Sequence, residues 1–251
     1  MKKNRVLGII VVILVIIALI LLSTFVLLYS NDNFTIKDFN NENNNRQNLN
    51  NKSQNYEEKV IGTTSYGQVT KLGPFGNFDS DVKIAYIIGV HPMESVIHNI
   101  FLESIINKKD LNYIYYVYKV DVTQDVDDYE KSRMNGQLLA NNFIVEDAVN
   151  NDFDLIIDVH SNSGNWEKNQ FIFAPTEKGT AKNLALNIAE QISWLSYYFP
   201  PNPTSLEYLT IPLNEKGIPA LVFEEYTYSP IDMMEKNINE LISVVDNLVI
   251  K

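Results

Sequence analysis

Apolar positions fall along this chain in three different rhythms. Residues 6–29 form a run of 24 without a single charge. As a helix that run would reach roughly 36 Å, enough to cross a bilayer core of about 30 Å. Residues 31–55 then lose nearly every bulky apolar side chain, and eleven of the twenty-five are Asn. Such a segment buries too little surface to offset chain ordering and reads as a disordered linker. From about residue 58 the pattern becomes globular. Short apolar blocks at 82–89, 154–159 and 218–223 predict strands buried on both faces, and the Tyr- and Val-rich stretch 113–122 predicts a fourth. Between them, residues 94–107, 137–150, 180–195 and 231–249 carry apolar residues at helical spacing, as in Val96, Ile97, Ile100, Phe101 and Ile105. Residues 197–212 hold four Pro and predict an irregular segment. Alternating strands and helices imply an α/β sheet covered on both faces. The expected organisation is an anchor over 1–30, a linker over 31–58 and one folded domain over 59–251.

Charge sharpens this picture. Lys2, Lys3 and Arg5 precede the apolar run and Asp32 follows it, so the positive-inside rule places the N-terminus in the cytoplasm and the domain outside. A cleaved signal peptide usually has a shorter apolar core and a small-residue cleavage site; Leu27-Leu28-Tyr29-Ser30 offers none, which favours an uncleaved single-pass membrane anchor. The net charge is −11, and it becomes −14 once the three N-terminal cations are set aside. An acidic domain argues against a nucleic-acid partner, which needs a cationic face. The absence of Cys excludes disulfides, thiolate catalysis and Cys-built zinc sites. Two glycosylation sequons, at Asn33 and Asn51, fall in the linker, where so much Asn also produces them by chance.

Chemistry collects where the strands stop. The first block runs into Gly89-Val90-His91-Pro92-Met93-Glu94, the second into Asp158-Val159-His160, and the third into Glu224-Glu225. Ligands in open α/β sheets bind beyond the carboxyl ends of strands, so three such ends can converge. Pro92 suits the start of a helix, where its missing N–H costs nothing. A loop His91 and a first-turn Glu94 can then reach one cation. His160 would complete a set of two His and one carboxylate that leaves zinc an open position.

These residues resemble the zinc carboxypeptidase superfamily, particularly its succinylglutamate desuccinylase and aspartoacylase branch, from about Tyr86 to Tyr226. The resemblance implies a mixed, mostly parallel sheet, Zn2+ held by His91, Glu94 and His160, and Glu224 as general base, its spacing from Pro219 matching better than that of Glu225. The implied activity is hydrolysis of an amide bond in a peptide or acyl-amino-acid substrate, of the metallocarboxypeptidase or deacylase type, with cell-envelope peptides as one source. Asp158, two residues before His160 and on the same side of a strand, would orient an imidazole. Arg133 is the only Arg after Arg46. Its planar fork suits a carboxylate or an oxyanion. Related enzymes use an Asn-Arg pair, whereas Ser132-Arg133-Met134-Asn135 has none, which leaves the anchor for a terminal carboxylate unassigned. The competing expectation is a non-catalytic metal- or peptide-binding module on the same fold. His98, one helical turn after Glu94, is expected to be packed rather than ligating, and Asp125, Asp127 and Asp128 to form a solvated loop.

Overall fold

The computed structural model describes residues 56–250 apart from 177, 204 and 205; the expected membrane anchor and nearly all of the linker lie outside the described residues. Among the described residues no helix is long and apolar enough to cross a membrane. The strands are β1 (Glu57–Thr64), β2 (Gly67–Gly76), β3 (Lys83–Ile88), β4 (Ile114–Val122), β5 (Leu155–Asn162), β6 (Phe171–Phe173), β7 (Ser196–Tyr197) and β8 (Ala220–Tyr226). The α-helices are α1 (Ser95–Asn107), α2 (Tyr129–Leu139), α3 (Val145–Asn151), α4 (Thr180–Gln191), α5 (Thr210–Glu215) and α6 (Ile231–Val245).

The eight strands of the described residues join one mixed sheet in the order β1-β2-β4-β3-β5-β8-β6-β7. The central β4, β3, β5 and β8 are parallel. An antiparallel β1–β2 hairpin extends one edge, and β6, antiparallel to β8, carries β7 at the other. The central strands are apolar on both sides because helices cover both faces. Tyr86 packs on Phe101 of α1, with ring centroids 4.5 Å apart. On the opposite face Ala85, Ile87, Ile156 and Ala220 bury against Leu139, Ala140, Ile144 and Ala148. Full burial of each large side chain contributes about 1.5–3 kcal/mol. From β3 the chain crosses by α1 to β4, then returns by α2 and α3 past β3 to β5. That reversal of direction opens a crevice beyond the carboxyl ends of β3 and β5.

Three expectations need correction. The helix expected over 137–150 begins at Tyr129, capped by Asp128, whose side chain accepts a hydrogen bond from the Lys131 N–H at 3.0 Å. It runs through a π-turn (Ala140–Ile144) directly into α3. Asp128 is therefore a helix cap rather than a loop carboxylate. The segment read as irregular contains a one-turn helix (Leu206–Tyr208) and α5, with Pro212 in the first turn of α5, where a backbone N–H has no helical partner to lose. Finally, β1 begins two residues inside the stretch read as linker.

Candidate metal centre

Two close backbone approaches aim the first pair of polar residues. Gly89 ends β3 at φ +85°, and a Cβ there would lie 2.1 Å from the Val120 carbonyl oxygen. On α2, a Cβ at Gly136 would lie 1.9 Å from the Val90 oxygen. Only Gly lets the two elements meet this closely. His91 follows at the cap of a one-turn helix (Pro92–Glu94), with Pro92 at its first position, and α1 continues from it.

His91, Glu94 and His160 meet at the crevice. His91 Nδ1 is 2.9 Å from Glu94 Oε1, and His160 Nδ1 is 3.0 Å from Oε2. The Ser161 N–H donates to the same Oε2 at 2.9 Å. One donor atom from each of the three residues lies within 4.8 Å of the others, and the imidazole centroids are 4.4 Å apart. The far nitrogens are held as well. His160 Nε2 contacts Asp158 Oδ2 at 2.8 Å, which leaves Nδ1 as the atom that would offer a lone pair to a cation. His91 Nε2 faces the Gln137 side-chain nitrogen at 3.4 Å. An amide suits this place because, by turning over, it serves an imidazole nitrogen as donor or as acceptor.

The electrostatics fit a cation. Burial, and then the charge of His160, pull His91 down to about 4, so it is neutral at pH 7. Burial alone would also lower His160, yet Asp158 and Glu94 lift it well above the ordinary imidazole value. Burial alone would raise Glu94, yet the two imidazoles hold it well below the usual carboxylate range. Two carboxylates thus demand positive charge between them; a proton on His160 supplies it here, and a cation would take that proton's place at Nδ1. Neutral nitrogen plus carboxylate oxygen is also the donor chemistry zinc takes.

Glu224 and Glu225 separate cleanly. In the parallel β5–β8 register Glu224 lies opposite His160 and shares its face. Its Oε2 accepts a 3.4 Å contact from Asn162 Nδ2, and burial pushes its carboxyl up to about 8, against the pull of His160. Glu225 points to the other face. It accepts from Gln170 Nε2 at 2.8 Å, the Tyr226 N–H at 2.9 Å, Asn237 Nδ2 at 3.1 Å and Ser229 Oγ at 3.2 Å. Arg133, on α2, reaches the centre: Nη1 is 3.1 Å from Glu94 Oε1, and the guanidinium lies 5.0 Å from the Tyr129 ring centroid. His98 stays outside the cluster, bonding the Val159 carbonyl through Nε2 at 3.0 Å, and burial pulls it down to about 4. Gln137 went unnoticed in the sequence; its spacing one turn after Arg133 on the same helix face was the available signal.

The centre opens into a cleft of about 390 Å3. Two solved structures share the architecture around it. One is a metallo-carboxypeptidase from Pseudomonas aeruginosa in complex with (2-guanidinoethylmercapto)succinic acid, with a TM-score of 0.53 at 13% identity, covering 78% of this chain and 65% of that one. The other is a metallo-carboxypeptidase from Burkholderia cenocepacia, with a TM-score of 0.51 at 10% identity, covering 77% and 64%. The chain has a zinc carboxypeptidase-like fold. It spans just under two thirds of the length of either structure. By sequence, no family model and no curated protein matches it. Within this carboxypeptidase-like fold the ends of β3, β5 and β8 supply the His-Glu-His cluster and the carboxylate beside it. The likenesses concern the fold and do not single out the desuccinylase and aspartoacylase branch.

Proposed function

We propose that the domain is a zinc-dependent amide-bond hydrolase acting on peptide or acyl-amino-acid substrates. The observation that carries this reading is the convergence of His91, Glu94 and His160 with Glu224 facing them from the neighbouring strand. His91 Nδ1, His160 Nδ1 and the Glu94 carboxylate would hold the ion. Zinc, when bound, polarises a carbonyl and lowers the pKa of water.

The chain's own groups do the rest. Glu224 would take a proton from the attacking water and return it to the leaving nitrogen, a role typically contributing about 10²–10⁴-fold in rate, once a cation beside it draws its carboxyl back down from the value of about 8 that burial imposes. Asn162 orients that carboxylate. Asp158 and Gln137 fix the two imidazoles. Arg133, 3.1 Å from Glu94 here, would be free to stabilise a developing oxyanion if a cation engaged Glu94. The apolar run over 6–29 is the proposed anchor that presents the domain outside the membrane, a reading that rests on its length and flanking cations.

The test is metal content and turnover together. Residues 56–251 folded with zinc and dialysed should retain one ion per chain and hydrolyse members of a panel of peptides and acyl-amino acids. Glu224→Gln should keep the ion and lose turnover. A domain that retains no zinc, or that turns over equally well as the Gln variant, refutes the reading.

A further inference from the structure

One face of α2 carries a row of polar side chains aimed at the centre. Gln137 faces His91, and Arg133, one turn earlier, reaches Glu94. Tyr129, a turn earlier again, lines the cleft beside Arg133, whose guanidinium lies over its ring at 5.0 Å. Spacings of four residues put all three on one side of the helix. Tyr129 opens α2, where the backbone is fixed. Asp128 caps the helix by accepting from the Lys131 N–H at 3.0 Å, and Ser132 Oγ donates to the Tyr129 carbonyl at 3.4 Å. Tyr129 is 55% exposed, which sets it apart from the aromatic residues of the core.

Two holds of different kinds act on Arg133. The Glu94 carboxylate attracts it by charge, at 3.1 Å. A cation bound by His91, Glu94 and His160 would claim that carboxylate and repel the guanidinium at the same time. The Tyr129 ring offers an attraction for which such a cation does not compete, because zinc takes nitrogen, oxygen and sulfur ligands rather than the face of a ring. An Arg side chain released from its partner regains rotamer freedom and leaves any single direction. Resting on the amide-hydrolase reading, we propose that Tyr129 is a positioning residue, keeping the Arg133 guanidinium at the centre once a metal ion has taken Glu94. A contact of this kind at a partly exposed site shifts the balance between held and released side chain about two- to fivefold.

The test reads Arg133 directly. Phenylglyoxal modifies arginine, and peptide mass mapping of the full chain reports the rate at Arg133 with Arg46 as internal reference. In the zinc-loaded chain Tyr129→Leu should raise the relative rate at Arg133 about two- to fivefold, Tyr129→Phe should raise it less, and Tyr129→Trp should not raise it. In the zinc-free chain the Leu variant should change little, since Glu94 still holds the guanidinium. A ring that acts only as a steric shield gives the same ratio with and without zinc. That result, or no effect of Leu in the loaded chain, overturns the proposal. Turnover should follow: Tyr129→Leu lowers kcat/KM by a similar factor alone and leaves it unchanged beside Arg133→Met, whereas equal losses in both backgrounds overturn positioning through Arg133. A chain that takes up no zinc sinks both readings. Zinc uptake with the Leu effect but no amide cleavage leaves the positioning and sinks the hydrolase; cleavage without the Leu effect does the reverse.

Discussion

Glu225→Ala should destabilise the domain strongly while Glu224→Gln, one residue away, should not. Glu225 is fully buried and accepts four hydrogen bonds. Gln170 and Ser229 are half-buried, so water can replace part of what they lose. Asn237 is buried and Tyr226 donates from the sheet, so those two donors bear the loss fully. At about 1–3 kcal/mol for each stranded donor, the total is about 4 kcal/mol. With a urea m-value of about 2 kcal/mol/M, the midpoint falls by about 2 M. Glu224 has no such set of donors and is held in an unfavourable form. Its folded pKa, about 8, is raised above the ordinary 4.5, so the stability it contributes is present below pH 4.5 and lost as pH rises through 8. The full shift corresponds to about 5 kcal/mol, and solvent on the cleft side reduces it to about 2 kcal/mol. Glu224→Gln in the zinc-free domain should therefore gain stability at pH 9 and little at pH 5. Urea titrations of both variants at both pH values decide the matter. A neutral Glu225→Ala alongside an unfolded Glu224→Gln would mean that the two carboxylates have been assigned to the wrong faces.

Other perturbations probe the supports of the centre. Asp158→Ala should weaken zinc about 10–100-fold in a chelator competition, because His160 loses the group that fixes its tautomer; unchanged affinity would refute that role. Gly136→Ala places a methyl against backbone rather than a yielding side chain, so α2 must shift from Val90, costing about 3 kcal/mol in urea unfolding and weakening zinc through displaced His91. His98, held neutral by burial with a folded pKa of about 4, contributes stability that is present above pH 6.5 and lost as pH falls towards 4. That amounts to about 3 kcal/mol in the zinc-free domain, and His98→Gln should remove this part of the acid sensitivity in thermal melts at pH 4 and 7.

What the sequence showed depended on how each element meets its surroundings. β3, β5 and β8 were legible because two helical layers make both their faces apolar, and the polar residues at their ends stood out against that background. The hairpin β1–β2 was not, since β1 is an edge strand with mostly exposed residues and β2 buries Thr70 and Lys71 as well as apolar side chains. Lys71 is tolerated there by Asp147, 2.8 Å away, and by the rings of Tyr116, Tyr118 and Phe153. The first turns of α2 were missed for a related reason. Their inward face carries Ser132, Gly136 and Gln137, which pack on the backbone and imidazole of the centre rather than on a hydrophobic core, so no apolar stripe marks them. Alternation allowed only one of Glu224 and Glu225 to face the metal residues, and the register of β8 against β5 shows which.

The pairing of β3 with β5 has a further consequence for how the chain reaches its final state. Glu94 and His160 are 66 residues apart, and no short peptide from this domain contains a complete set of ligands. A slip of one residue between these two strands would turn Asp158 and His160 away from Glu94 and take the cluster apart. An ion bound by these residues would therefore act as an inspector of assembly: it would reward the alignment in which β3 and β5 are both seated, and at a thousandfold excess over its dissociation constant it would deepen that state by about 4 kcal/mol.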